Sequence, residues 1–361
     1  MAKRTINQHL RDIEQTYHFG FARGQNKRQA DDKQKKAKTF AKNTTKNDLR
    51  ITQDFARFVH ERHGVTDPRF YKTEYGHEWV TNLLERFQRG ELAAGSVKTY
   101  VHAVSKYQNM VRDQQNFRAR IINVEAELAR AKEAGAIRRY ANSEKGRIIS
   151  HQEATHMVTA FKNGRSINSE TMSHIAEFQL YTGSRITAAL RIQVQHLNFD
   201  KNTVTFVADK GGKTRTVQVD PSYMQELKTL VEGKIPGRQV FEILKPNGTL
   251  KNIESSRKNI ESAYARHAAK LGLEGANTHS QRKAFANDRY REYRALPSHE
   301  ARAELARRAS ESKQLANKIN KIGRIYGEKR MSDEKVAKML TSIDLGHERM
   351  DVLAWYLSSG K

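Results

Sequence analysis

The chain has 361 residues, with 65 Lys plus Arg against 40 Asp plus Glu and a formal charge of +25. It contains no cysteine, which excludes disulfides, thiolate zinc sites and cysteine catalysis and suits a reducing cytoplasm. No apolar run reaches transmembrane length and the Met-Ala-Lys-Arg-Thr start is not a secretory leader, so the basic excess points to nucleic acid rather than a membrane as its polyanionic partner.

The length suggests two domains with an added arm. Five prolines among frequent Ala, Leu, Glu, Lys and Arg favour a mainly α protein. Residues 1–45 are polar and basic, and the first fifty hold 13 Lys plus Arg against 5 Asp plus Glu. They read equally as a frayed tail or as an arm touching DNA backbone. Residues 46–140 read as a helical domain. Helices are predicted over 48–63, where Leu49, Ile51, Phe55, Phe58 and Val59 recur near helical spacing, then over 78–89 and from Ser96 onward. Gly90 and Gly95 mark the turn between the last two. A long charged helix is expected over 116–140, and residues 141–150 read as a polar linker.

A second domain is expected over 151–361. Helices are predicted over 151–162 and 169–181. The period then changes to a strand–turn–strand pattern, with β-formers at 203–208 and 214–219 flanking Asp209-Lys210-Gly211-Gly212-Lys213. Helices resume over 221–233, 252–271 and from Gln281 onward. The expected fold is therefore mainly α with a small β-sheet.

Two arginines, a lysine, two histidines and a tyrosine stand in short Gly- or helix-bounded contexts: Arg185, Lys210, His279, Arg282, His347 and Tyr356. A phosphodiester under attack gathers negative charge on its non-bridging oxygens, which planar guanidiniums match. A lysine beside a flexible turn can protonate a leaving oxygen, and a tyrosine nucleophile needs a base such as histidine. Taken singly, each has an ordinary explanation. Arg185 and Arg282 read as surface helix arginines, Lys210 as a solvated turn lysine with Lys213 its rival, His347 as a helix start, and Tyr356 as a core anchor. His60 and His63 share a helix face but lack a third metal ligand nearby, and Gly211-Gly212 lacks the rest of a phosphate loop.

Taken together, in order, the segments Thr182-Gly-Ser-Arg185, Lys210, His279-Ser-Gln-Arg282, Leu345-Gly-His347 and Tyr356 resemble the catalytic boxes of the tyrosine recombinases, the phage integrase family. The resemblance covers residues 151–356, with a weaker similarity of 46–140 to that family's helical core-binding domain. It implies a DNA clamp of two domains, the second catalytic. It implies that Tyr356 attacks a DNA phosphate to give a 3′-phosphotyrosyl bond, that Arg185 and Arg282 clamp that phosphate, and that Lys210 protonates the leaving 5′ oxygen. His279 would serve as base or proton shuttle and His347 would hydrogen-bond the phosphate, with no metal, ATP or other cofactor. The implied partners are double-stranded DNA, a homo-tetramer on two DNA sites, and accessory DNA-bending or directionality factors. The implied setting is the cytoplasm, at the nucleoid when bound to DNA.

The implied role is site-specific integration or excision of a mobile element such as a prophage or genomic island. Alternatives are a chromosome-dimer or cassette recombinase, a more distant topoisomerase-like role, a catalytically silent DNA-binding protein of the same fold, and an RNA-binding basic protein. Two departures stand out. The interval from Arg282 to His347 is long, and residues 289–338, with 14 Lys plus Arg and 7 Asp plus Glu, read as a charged helical insertion contacting DNA, a neighbouring protomer, or only solvent. Five residues follow Tyr356, too few for a helix exchanged between protomers.

Overall fold

The structure is a computed structural model. It describes residues 4–25, 29–115, 120–137, 147–209, 213–325 and 331–357. The chain divides into two compact units, Met1–Arg139 and Tyr140–Lys361.

The first unit is helical. It contains α1 (Ile6–Phe19), α2 (Asp32–Ala37), α3 (Lys42–His63), α4 (Thr73–Gln88), α5 (Ser96–Gln115) and α6 (Val124–Glu133). Helix α1 falls inside the segment expected as a tail or arm. Thr5 caps its first turn in a reciprocal capping box with Gln8, and Ile13 and Tyr17 are buried in the unit's core with Ile51, Phe55, Val59 and Tyr107. The Tyr17 hydroxyl meets Thr52 Oγ1 at 2.9 Å, so α1 is packed structure and not a free arm. The helix expected over 116–140 is replaced in its described part by an extended approach and the shorter α6. Gln108 Oε1 accepts from the amides of Ile121 and Ile122 at 2.5 and 3.1 Å, which pins both isoleucines in the core, and Asn123 then caps α6. Residues 141–146 of the expected linker lie outside the described residues.

The second unit starts with α7 (His151–Lys162) and α8 (Ser169–Thr182), followed by the single-turn α9 (Ile186–Ala189). Strands β1 (Leu197–Asn198), β2 (Thr203–Asp209) and β3 (Lys213–Gln218) form an antiparallel sheet in the order β1-β2-β3. Helices α10 (Pro221–Leu230), α11 (Ile253–Lys270), α12 (Thr278–Ala295), α13 (Ser298–Ser310), α14 (Lys313–Ile325) and α15 (Asp333–Asp344) follow. A 3-10 turn, Asp351–Trp355, leads to Tyr356. The main core runs from Met157 and Phe178 through Val204 and Val217 to Phe285, Leu353 and Tyr356. The mainly α fold with a small sheet is as the sequence indicated.

The charged insertion contains two complete helices. Helices α13 and α14 share a small core of their own, in which Ala301, Leu305 and Leu315 pack with Met331, Val336, Met339 and Leu340. Three of those partners belong to α15, so the insertion is built against the helix that precedes His347.

Candidate active site

The site forms where α8, β3, α12 and α15 end or begin. Helix α8 stops at Gly183, whose φ of 57° is left-handed. A Cβ there would come within 2.3 Å of Phe285, so only glycine allows the turn to lie against α12. Arg185 then caps α9. The buried Gln179 donates from Nε2 to the carbonyls of Ser184 and Thr278 at 3.0 and 3.2 Å. One amide thus fixes the residues immediately before Arg185 and His279.

Asn277 caps α12 in a reciprocal box with Ser280. His279 and Arg282 consequently sit on one face of its first turns, three residues apart. Arg282 is fully buried. It donates to the Gly183 carbonyl, and through its second terminal nitrogen to the Leu345 carbonyl at 2.5 Å. Its Nε lies 3.4 Å from the Tyr356 hydroxyl. Burial pushes the Arg282 pKa down, so these acceptors compensate a charge withdrawn from water.

His347 Nε2 stands 3.0 Å from the Tyr356 hydroxyl and 3.3 Å from an Arg282 terminal nitrogen. A guanidinium only donates, so that imidazole nitrogen is the acceptor. Arg282 Nε donates to the phenol oxygen, and an acceptor Nε2 leaves the phenol as the donor in its contact with His347. The His279 ring lies beside that of Tyr356, with centroids 5.2 Å apart and an angle of 56°. Four of the six singled-out residues, His279, Arg282, His347 and Tyr356, are therefore together. His347 Nε2 is in direct contact with the phenol, whereas the family resemblance gives the role of base or proton shuttle to His279. Tyr356 is 5% exposed.

Arg185 is engaged elsewhere. Its guanidinium donates to Asp209 Oδ2 at 2.9 Å. That carboxylate also lies 3.4 Å from Arg215 Nε. The charge of Arg185 still reaches the buried pair, since it opposes the protonated forms of both Arg282 and Arg215. Lys210, Gly211 and Gly212 lie outside the described residues, as does the side chain of Lys213.

Arg215, Asp209 and Asp344 are the residues that sequence reasoning missed. Arg215 stacks on Phe206, its register partner across the hairpin, at 4.2 Å. It donates to the Asp344 carbonyl at 2.5 Å and approaches the carbonyls of Thr182 and Gly183 at 3.4 Å. Its side chain lies under Gly346, φ 70°, where an added Cβ would meet Arg215 Cδ at 2.8 Å. Arg215 and Arg282 thus tie the Thr182-Gly183 turn to the Asp344–Gly346 turn. The signal was in the strand alternation: Arg215 and Val217 share the buried face of β3. Asp209 was harder to see. A register shift between Phe206 and Asp209 reverses the alternation and turns Asp209 to the face of Phe206, from which an odd spacing would otherwise separate it.

Among the described residues no three His, Cys, Asp or Glu form a metal-binding group, and no helix is long and apolar enough to cross a membrane. His63 bonds Glu78 at 3.0 Å and stacks on Tyr75.

Residues 147–295 match the phage integrase family. A probable integrase/recombinase of Acholeplasma phage L2 is 25% identical over 138 residues, 38% of this chain and 46% of that protein. The chain thus spans about half the length of that relative. Among solved structures, the XerH site-specific recombinase bound to a palindromic difH substrate in a post-cleavage complex has a TM-score of 0.53 at 16% identity, covering 88% of this chain and 76% of that one. The Tn1549 transposon integrase in complex with transposon right-end DNA has a TM-score of 0.53 at 12% identity, covering 99% and 96%. At these identities the likeness is one of fold. Residues 147–295 are thus similar to the phage integrase family, and the chain has the fold of these solved recombinases.

Proposed function

We propose that the protein is a site-specific DNA recombinase that integrates or excises a mobile element, with Tyr356 as its nucleophile. The observation that carries this reading is the triangle of Arg282, His347 and Tyr356. Residues 74 and 9 positions from the tyrosine meet at its hydroxyl, one donating to the oxygen and one accepting its proton. A buried structural tyrosine needs one such partner. Two partners arranged to polarise the O–H bond serve a nucleophile.

The phenol proton passes to His347 Nε2 as the oxygen attacks phosphorus. The bond to the 5′ oxygen breaks, leaving a 3′-phosphotyrosyl link and a free 5′-hydroxyl, with Lys210 supplying the proton to the departing oxygen. Arg185 exchanges the Asp209 carboxylate for a non-bridging phosphate oxygen, and Arg282 exchanges a carbonyl for another. The Arg282 exchange swaps a neutral acceptor for an anionic one, and the Arg185 exchange swaps one anion for another that gains charge as the tyrosine oxygen attacks. His279, beside the phenol ring, is the second imidazole through which a proton can travel. A 5′-hydroxyl from a partner duplex then reverses the step. Strand exchange between duplexes requires paired sites, which four copies of the chain on two sites provide, with accessory DNA-bending proteins setting direction.

A second reading, a DNA-binding protein without chemistry, draws on the burial of Tyr356 at 5% exposure. Covalent capture separates the two. The full chain is incubated with a pool of nicked duplexes of random sequence, and denaturant-resistant protein–DNA adducts are isolated and sequenced. Recombination chemistry yields adducts enriched in one inverted-repeat sequence. Binding of the pool with no adduct supports the silent reading.

A further inference from the structure

The acid at the end of α15 is unusual for its surroundings. Asp344 is 2% exposed and stands three residues before His347. Its Oδ2 accepts from the Tyr293 hydroxyl at 2.8 Å and lies 3.7 Å from Arg289 Nε. Its Oδ1 lies 3.4 Å from Arg308, and its backbone carbonyl accepts from Arg215 at 2.5 Å. Burial raises the Asp344 pKa while Arg289 and Arg308 oppose the rise. A carboxylate this enclosed is stabilised only by partners held in place.

Those partners come from different parts of the fold. Arg289 and Tyr293 lie on α12, one and two turns beyond the helix's last buried stretch, and Arg215 lies on β3. Arg308 comes from α13, within the insertion. A second tether from the insertion lands on the other side of His347. Lys318 of α14 pairs with Glu348, and Glu348 adopts a left-handed backbone with φ 53°, which costs a non-glycine residue energy and persists only where neighbours hold it. Between the two tethers the turn is closed by its own backbone. His347 N and Glu348 N both donate to the Ser342 carbonyl, at 2.8 and 3.3 Å, and Ser342 Oγ bonds both the amide and the carbonyl of Arg349.

We propose that the α13–α14 insertion is a positioning element for the His347–Tyr356 pair, acting through Asp344 on one flank of His347 and Glu348 on the other. Asp344, Arg308 and Lys318 are positioning residues: none touches the phenol, and each fixes the turn that presents His347 Nε2 to it. The insertion's bland alternatives, a solvated hairpin or a DNA-contacting arm, leave both tethers unexplained. The inference rests on the recombinase reading and deepens it.

The test uses the full chain and the duplex obtained by covalent capture, nicked so that cleavage is irreversible. Single-turnover rates are followed against protein concentration for Asp344→Asn, Asp344→Ala, Arg308→Gln and Lys318→Gln. A displaced base near the reacting atom slows the maximal rate by about 10- to 100-fold without weakening binding. The expected order of maximal rates is native, then Asp344→Asn, which keeps the shape and one of the two acceptor oxygens that Tyr293 and Arg308 use, then Asp344→Ala. Arg308→Gln and Lys318→Gln lose about 3- to 10-fold, since each removes one of two tethers. Half-saturating concentrations stay within about twofold throughout. If Asp344→Ala fails to fold, the two insertion variants decide. Native maximal rates in both overturn the proposal. So does a loss that appears as weaker, more salt-sensitive DNA binding, which marks the insertion as a DNA contact. Failure of the native chain to form any adduct instead counts against the recombinase reading itself, with Tyr356→Phe as the blank.

Discussion

His347 Nε2 lies 3.0 Å from the hydroxyl of Tyr356, nine residues later in the chain, and the Arg282 guanidinium donates to both. The short connection between them, a 3-10 turn rather than a regular helix, brings imidazole and phenol together with ring centroids 5.4 Å apart at an angle of 58°. Whatever holds the His347 turn therefore also sets the distance between this imidazole and the phenol.

Replacing His347 by alanine removes the acceptor for the phenol proton. General-base catalysis contributes roughly 10²- to 10⁴-fold, so single-turnover cleavage falls by about that factor while DNA affinity changes little. His279→Ala has the smaller effect of the two if the phenol's resting partner is also its base. A gel-based cleavage assay on a nicked duplex measures both, and a larger loss for His279 reverses the assignment of roles.

Arg282→Lys tests how much of the fold depends on one guanidinium. Lysine keeps the charge but cannot span the Gly183 and Leu345 carbonyls together. Leaving one or both buried carbonyls unsatisfied costs about 2–5 kcal/mol, read as a lower denaturant midpoint for the second unit. An unchanged midpoint means the carbonyl contacts contribute nothing.

Gly183→Ala places a methyl 2.3 Å from Phe285 at a left-handed φ. Overpacking and backbone strain together cost about 2–4 kcal/mol. Adding Phe285→Leu relieves the clash but not the strain, so chemical denaturation recovers only part of the loss. Full recovery shows that φ is irrelevant there.

The first unit carries a pH dependence of its own. His9 is fully buried against the Tyr71 hydroxyl at 2.6 Å, and burial, helped by Arg4, lowers its pKa to about 4. The unfolded chain binds this proton below about pH 6.5 and the folded chain does not until about pH 4. Stability is therefore complete above pH 6.5 and is lost as pH falls from 6.5 towards 4, by about 3 kcal/mol at 1.36 kcal/mol per unit. Thermal unfolding of the native chain and His9→Gln across this range checks it. Gln keeps an acceptor and does not titrate, so parallel curves for the two proteins rule the assignment out.

The catalytic-type boxes were legible because each is local. Gly183 and Gly346 mark left-handed turns, and the residues that follow them are placed by those turns. The strand alternation around 203–219 was legible for the same reason. The ion network behind the boxes was not, because Arg215, Asp209 and Asp344 acquire meaning only when β3, α9, α12, α13 and α15 converge. Arg215 did leave a trace, a charge on a strand's buried face. Helix α1 left one as well: Thr5 and Gln8 form a capping box ahead of Leu10, Ile13 and Tyr17, but a basic composition around it read as tail. The insertion's charge count described its surface, whereas Leu305 and Leu315, few among many Arg and Lys, decide its packing.

The most direct test of the central claim is to digest the covalent adduct and locate the attached nucleotide by mass spectrometry, comparing the native chain with Tyr356→Phe. The account predicts a nucleotide 3′-linked to the Tyr356 side chain in the native protein and no adduct from the variant. A nucleotide on any other residue, or adduct formation by Tyr356→Phe, contradicts it.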